Sequence, residues 1–361
     1  MAFLTLLMVP MLVAFCFFIL GKRRVTLQEF LIHIGVQCVV AGVSIGIMYW
    51  SNTSDTEVWN GKITGKKRER VHCQHSYRCF CYESCSGSGS SRSCHQVCQT
   101  CYEHSYDVSW YVFTNIGDSF TISRVNRQGT IEPPRWSAIQ PGEPYATTKS
   151  YTNYIKASPD TLFRQQGLVE KYKKFMPSYP QRVYDYYRLN RIVLVNGAKL
   201  ENINTWNEEL SELNAEVGPV RQANVILTVV KDLPADYFHA LRQFWIGGKK
   251  NDIVPVIGVD ANNAIQWVEI MSWSQDKIFD IKLRDDLLNN KTLDMTNTLS
   301  IIKDDTMKYF KRKPMKDFEY LKSSVAPTMT QWLISMVIGL LLSLGLGIFF
   351  YKNDITDRSY R

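Results

Sequence analysis

Three uninterrupted apolar runs constrain this chain more than any other feature. Residues 1–20 (MAFLTLLMVPMLVAFCFFIL) and 332–351 (WLISMVIGLLLSLGLGIFFY) contain no Asp, Glu, Lys or Arg, and residues 30–50 (FLIHIGVQCVVAGVSIGIMYW) have His33 as their one titratable base. At about 1.5 Å per residue, each run is long enough to cross a hydrocarbon core about 30 Å thick. The reading is a multi-pass membrane protein with three transmembrane helices, at 1–21, 30–50 and 331–351. The first run lacks the basic n-region and the small-x-small cleavage site of a signal peptide, so it is read as an uncleaved anchor.

Basic residues set the expected orientation. The link 22–29 carries Lys22, Arg23 and Arg24, and the tail 352–361 carries Lys352, Arg358 and Arg361. The positive-inside rule places both in the cytoplasm. The N-terminus and the long segment between the second and third helices then face the periplasm, an organelle lumen or the extracellular space. Lys66, Lys67, Arg68 and Arg70 count the other way, near the limit of the rule's reach. The net charge of +8 is spread along the chain, densest at residues 65–70 and 308–316. These patches read as solvated surface or as contacts to anionic lipid. No nucleic-acid motif accompanies them, so no nucleic acid is expected as a partner.

Small residues recur every four positions in two of the runs: Gly42 and Gly46 in the second, and Ser335, Gly339, Ser343 and Gly347 in the third. Such faces let helix backbones approach closely in lipid. The expectation is that the third helix packs on the second, or on its own copy in a homo-oligomer. His33 and Gln37, one turn apart, are expected to hydrogen-bond within the helix pair.

Between the membrane helices the chain divides by composition. Residues 51–147 are expected to form a β-rich domain, because SWYVFTNIG (109–117) and SFTISRVN (119–126) alternate around a turn at Gly117 and Asp118. Residues 148–188, rich in Tyr and broken by Pro159, Pro177 and Pro180, read as a connector with a helix near 161–175. Residues 189–320 alternate strand and helix patterns: strands near 191–195, 223–230, 253–259 and 264–270, helices near 205–217, 234–244 and 294–310. That order predicts an α/β layer around a buried sheet.

The β-rich domain carries a cysteine and histidine cluster at 72–104. Seven cysteines lie outside the apolar runs: Cys73, Cys79, Cys81, Cys85, Cys94, Cys98 and Cys101. Cys81, Cys85, Cys98 and Cys101 form two short chelating turns suited to a tetrahedral zinc site. Cys73, Cys79, Cys94 and either His95 or His75 form a second candidate set. The alternative is structural disulfides, favoured by an exported location, with one thiol left over because seven is odd. A redox role for CQTC (98–101) is disfavoured, since its flanks suit extended chain rather than a helix start.

Two resemblances bear on function. The segment CSGSG (85–89) is similar, locally, to the zinc modules of DnaJ-type chaperones. Residues 223–270 (ANVILTVVKDLPADYFHALRQFWIGGKKNDIVPVIGVDANNAIQWVEI) resemble the TPM domain, a three-layer α/β/α module of membrane-anchored proteins. Trp245, Ile246 and Gly247 match one of its patterns, and residues 251–259 another. The resemblance covers about 189–320 and implies divalent-cation binding and, in some members, phosphatase activity. Asp260 is the position that would bind the cation, with Asp285 and Asp286 as further acids. Residues 270–274 read IMSWS where the family has a glycine-rich stretch, and Asp260 before Asn262 and Asn263 is also a natural turn residue. No Ser-His-Asp, Walker or HExxH pattern is present, and His239 reads as a surface or packing residue on a helix. The expected function is therefore non-enzymatic: a membrane-anchored protein whose exported domains bind a partner or scaffold a complex. A TPM-like phosphatase is the alternative.

Overall fold

The computed structural model describes residues 2–21, 24–87, 92–158, 167–184 and 189–353. Lys22 and Arg23 in the link, and Arg358 and Arg361 in the tail, lie outside the described residues.

Two helices, α2 (Leu27–Thr53) and the C-terminal helix (Met329–Lys352), are long and apolar enough to cross a membrane. A third apolar helix, α1 (Ala2–Leu20), packs against both. The bundle they form is inside out. Glu29, His33, Gln37 and Ser343 are buried within it, while Leu12, Val43, Ile47, Val337 and Leu341 are exposed. A soluble bundle buries the second kind of residue and exposes the first; this distribution suits an apolar solvent.

One hydrogen-bond chain ties the three helices together. The Ser343 hydroxyl donates to the Pro10 carbonyl at 2.8 Å and lies 2.9 Å from His33 Nε2. A hydroxyl has one proton, so His33 must donate from Nε2 to the remaining lone pair. The C-terminal helix packs on α2 as expected, through Ser343 and His33, but its small face is not matched to the glycine face of α2. A Cβ at Gly339 would press on Pro10, and one at Gly347 would overlap the Phe17 ring, whereas Gly42 and Gly46 face open space. Gly339, Ser343 and Gly347 are therefore covered by α1 of the same chain, and Ser335 is half-buried. Asn52 and Gln331 exchange amide hydrogen bonds at one end of the bundle, near Thr5. At the other end Arg24 lies over Tyr351.

Helix α2 passes without a loop into β1 (Ser54–Val71). The strands β2 (Ser76–Ser86), β3 (Ser93–Tyr102), β4 (Asp107–Thr114), β5 (Ser119–Ile122) and β6 (Pro144–Thr152) follow. The sheet order is β5-β4-β1-β6, all antiparallel, and β2–β3 form a separate hairpin. The two halves of β1 have different partners. Residues 54–62 pair with β6, and a register shift between Ile63 and Gly65 introduces the half paired with β4. The basic run falls in that second half. Lys66, Arg68 and Arg70 share one side of the strand and lie over Trp136, Trp110 and Tyr106. Three of the four residues that counted against the topology thus form a strand-borne cation–aromatic ladder, and the fourth, Lys67, pairs with Glu69.

The second unit contains β7 (Ile192–Val195), α3 (Ile203–Arg221), β8 (Asn224–Val225), β9 (Leu227–Lys231), α4 (Asp236–Phe244), β10 (Asp252–Val259), β11 (Ile265–Ser272), α5 (Lys277–Asn289) and α6 (Met295–Tyr309). Strand order is β11-β10-β9-β7, with β8 also on β10; β11 is antiparallel and the others run parallel. Every residue of β10 is buried, as a central strand covered on both faces requires. Helices α3, α5 and α6 supply one core through Leu210, Phe279, Leu283 and Ile302. On the other face, α4 and the connector supply Tyr237, Leu241, Trp245 and Tyr172. Within the connector the described residues hold the end of β6, the short helices Tyr154–Ala157 and Leu168–Lys171, and the turn Lys173–Phe175; residues 161–166 of the expected helix lie outside them.

A buried polar seam locks the two units together along β1. Arg191 donates to Asn60 Oδ1 at 2.5 Å and to Ser211 Oγ at 3.1 Å, and Asn60 donates to Asn224 Oδ1 at 3.0 Å. Lys249 Nζ lies 2.6 Å from Asp55 Oδ1, and Glu57 pairs with Arg312.

Candidate functional site

The hairpin β2–β3 is inserted where β1 ends and β4 begins, after the Val71–Asp107 pair. It stands off the sheet as an arm in which no described residue of either strand is buried. Three disulfides hold its shape: Cys79–Cys101, Cys81–Cys98 and Cys85–Cys94. The four sulfurs expected at one zinc ion are thereby divided among three covalent bonds. Cys81 meets Cys98, Cys101 meets Cys79, and Cys85 meets Cys94. The second expected set is dispersed too: Cys79 and Cys94 are in separate disulfides, His95 is exposed opposite Ser84, and Cys73 lies elsewhere. Three nested pairs suit an antiparallel ladder, where one residue choice recurs on both strands. Bonds of this kind form and persist in oxidising compartments.

The ladder contains one irregularity. Cys79 stands opposite Gln99 and Tyr82 opposite Val97, so β2 has one extra residue between them. Phe80 lies in that bulge with φ of 46°, and 77% of its surface is exposed. A non-glycine residue held there costs about 1–3 kcal/mol. Side-chain alternation changes face at the bulge. Cys79–Cys101, Tyr77 and Tyr82 consequently lie on one face, and the other two disulfides lie on the opposite face. Tyr77 and Tyr82 are also exposed.

At the base of the arm its two stems converge. The Glu103 N–H donates to the His75 carbonyl at 3.0 Å, joining them directly. Asp107, the first residue of β4, has no exposed surface. Its Oδ2 accepts from the Gln74 N–H at 2.9 Å and from Arg124 Nη1 at 2.9 Å, and His75 Nε2 lies 3.8 Å away. Burial alone raises its pKa, but the Gln74 N–H, the Cys73 thiol and the Arg124 guanidinium outweigh burial and hold it at about 2. Cys73 is buried and remains a free thiol. His104 Nδ1 lies 3.7 Å from Cys73 Sγ and 3.3 Å from Asp107 Oδ1. A groove of about 550 Å³ runs beside this cluster, lined in part by Gln74, His75, Trp110, Arg124 and Arg127.

Asp260 is placed as a turn residue. Its Oδ1 accepts from the N–H groups of Asn262 and Ala264, and its Oδ2 from Gln266 Nε2. Asp285 and Asp286 pair with Arg284 and Lys282 on α5. Among the described residues neither joins Asp260 in a group able to hold a metal ion. His239 is exposed on α4. The Trp245, Ile246, Gly247 stretch ends α4, and Trp245 Nε1 donates to the Pro177 carbonyl. Gly247 and Gly248 both have φ of 74°, and a Cβ at Gly248 would press on the Asp252 carboxylate. Asp252 is a buried acid that sequence reasoning missed. Tyr179, Asn224 and the Lys249 N–H donate to it, yet burial raises its pKa to about 6. His104 and Asp107 were missed as partners of Cys73. The signal was the pair of short spacings, Cys-x-His before the hairpin and His-x-x-Asp after it.

No family model, curated protein or solved structure matches the chain.

Proposed function

We propose that this is a membrane-anchored binding protein whose disulfide-laddered arm docks a protein partner outside the cytoplasm. The observation that carries the reading is Phe80, an exposed aromatic side chain held in a left-handed bulge between two disulfide-bonded cysteines. Burying a Phe side chain is worth about 1.5–3 kcal/mol, so a fold that keeps it out gives up that stabilisation while also bearing the bulge strain. Tyr77 and Tyr82 beside it, with exposed Arg78, add the residue types that dominate binding hot spots. Rigid presentation lowers the entropy lost on docking. The partner this surface fits is a protein with an apolar pocket.

In this reading all three apolar helices cross the membrane. The N-terminus and residues 51–331 lie outside the cytoplasm, and the link 22–29 and the tail 352–361 lie inside, as their basic residues favour. Oxidised cysteines in the arm support that orientation.

The test is photocrosslinking from Phe80 or Tyr82 in the full-length protein in its native membranes, with Ile131, exposed but outside the two strands of the arm, as control. The reading expects one discrete adduct from the arm positions that is lost in Arg78→Glu. Equal labelling from Ile131, or no adduct from either arm position, would sink it.

A further inference from the structure

The arrangement at the base of the arm does not need to be the end of its chemistry. Seven cysteines lie outside the apolar helices and six are consumed in disulfides, which leaves Cys73. That leftover thiol is not at random in the surface: it is buried beside an imidazole and a fully buried carboxylate. The carboxylate is asymmetric. Asp107 Oδ2 takes hydrogen bonds from the Gln74 N–H and Arg124, whereas Asp107 Oδ1 is buried without a well-aligned hydrogen bond and faces His104 Nδ1 at 3.3 Å. An anionic oxygen left in that condition is costly unless something positive meets it.

The geometry points to a zinc-class divalent metal site formed by Cys73 Sγ, His104 Nδ1 and Asp107 Oδ1. The three atoms lie within 4.8 Å of one another. Tetrahedral zinc with Zn–S of about 2.3 Å and Zn–N and Zn–O of about 2.0–2.1 Å separates sulfur from nitrogen by about 3.6 Å and nitrogen from oxygen by about 3.4 Å. The corresponding distances here are 3.7 and 3.3 Å. One sulfur, one imidazole and one carboxylate form a borderline donor set that suits zinc over calcium or magnesium. Gln74 and Arg124, by fixing Oδ2, orient the coordinating oxygen as an outer shell does. The thiol releases its proton to solvent as sulfur binds the metal. The fourth position is taken by water, and the neighbouring groove gives it a path in. Because Cys73 precedes β2 and His104 follows β3, the ion would clamp both stems of the arm. This site shares no sulfur with either cysteine set read from the sequence as a zinc centre except Cys73, and it coexists with the disulfides.

The experiment uses the full-length protein in detergent, stripped of metal without reductant and titrated with Co²⁺. Occupancy is read as bound cobalt per chain and as the thiolate-to-cobalt charge-transfer band in the near ultraviolet. The expected result is one cobalt per chain with that band present. Cys73→Ser abolishes the band, and His104→Gln weakens binding at least about tenfold. His104 is partly exposed, so its replacement keeps the question open to test if Cys73→Ser does not fold. Intact disulfides by mass spectrometry certify each variant. Folded wild-type protein that binds no cobalt, or binds it without the sulfur band, overturns the site. So does binding unchanged in His104→Gln.

Discussion

Reduction of the arm should unfold it alone. The disulfides span 22, 17 and 9 residues and are nested. Each outer bond therefore closes only the residues between itself and its inner neighbour. Loops of about 5–9 residues are worth about 2–3 kcal/mol each in the loop-closure relation, or about 7 kcal/mol for the ladder. Within the two strands themselves nothing else of that size holds the arm, since neither has a buried side chain and an isolated two-stranded hairpin is marginal in water. The assay is hydrogen–deuterium exchange of the full chain in detergent, with and without a phosphine reductant. Amides in β2 and β3 should lose at least about a thousandfold in protection, which about 4 kcal/mol already accounts for. Those of β9 and β10, buried in the other unit, should not change. An arm that stays protected when reduced would refute the loop-closure argument, and parallel loss in β10 would refute the arm's independence.

Other expectations concern the seam, the sheet and the bundle. Lys249→Met leaves Asp55, 8% exposed, without its cation, and should lower stability by about 3 kcal/mol in urea titrations; an unchanged midpoint contradicts the seam. Asp252 has a folded pKa raised to about 6, above its unfolded value. Its protonated form thus stabilises the fold fully below the unfolded pKa, and that contribution is lost as pH rises through about 6. Asp252→Asn should flatten the stability profile between pH 4 and 6, and an unaltered slope there argues against the assignment. Gly347→Leu overlaps Phe17 whereas Gly46→Leu enters open space. Thermal melts in detergent should show a loss of about 1–3 kcal/mol for the first and little for the second; equal shifts would mean α1 does not cover the small face.

What could be read from the sequence was what depends on local pattern. The strand expected at residues 253–259 lies at Asp252–Val259, because a short apolar run between turn residues has few other uses. The helix expected at 234–244 lies at Asp236–Phe244, set by Pro234 and apolar residues at helical spacing. Helix α5 was not expected, because the stripe of Phe279, Leu283 and Leu287 is blurred by Ile278, Ile281 and Leu288, apolar residues exposed on its other faces. Pairing was not legible. Nothing local says that Gly339 meets Pro10 rather than Gly42, or that Cys81 meets Cys98 rather than Cys85; both depend on which segments the fold brings side by side. The spacing that suits two chelating turns also suits two strands of a hairpin. The convergence of Cys73 with His104 and Asp107 needed the insertion to close on itself, which no spacing rule predicts.

The central claim is an oxidised arm held outside the cytoplasm, and alkylation tests it most directly. Cells are treated with a membrane-permeant thiol reagent before lysis, and the full-length protein is then digested without reductant and analysed by mass spectrometry. The account predicts linked peptides joining Cys79 to Cys101, Cys81 to Cys98 and Cys85 to Cys94, with Cys73 in none of them. Alkyl groups on those six cysteines would contradict it.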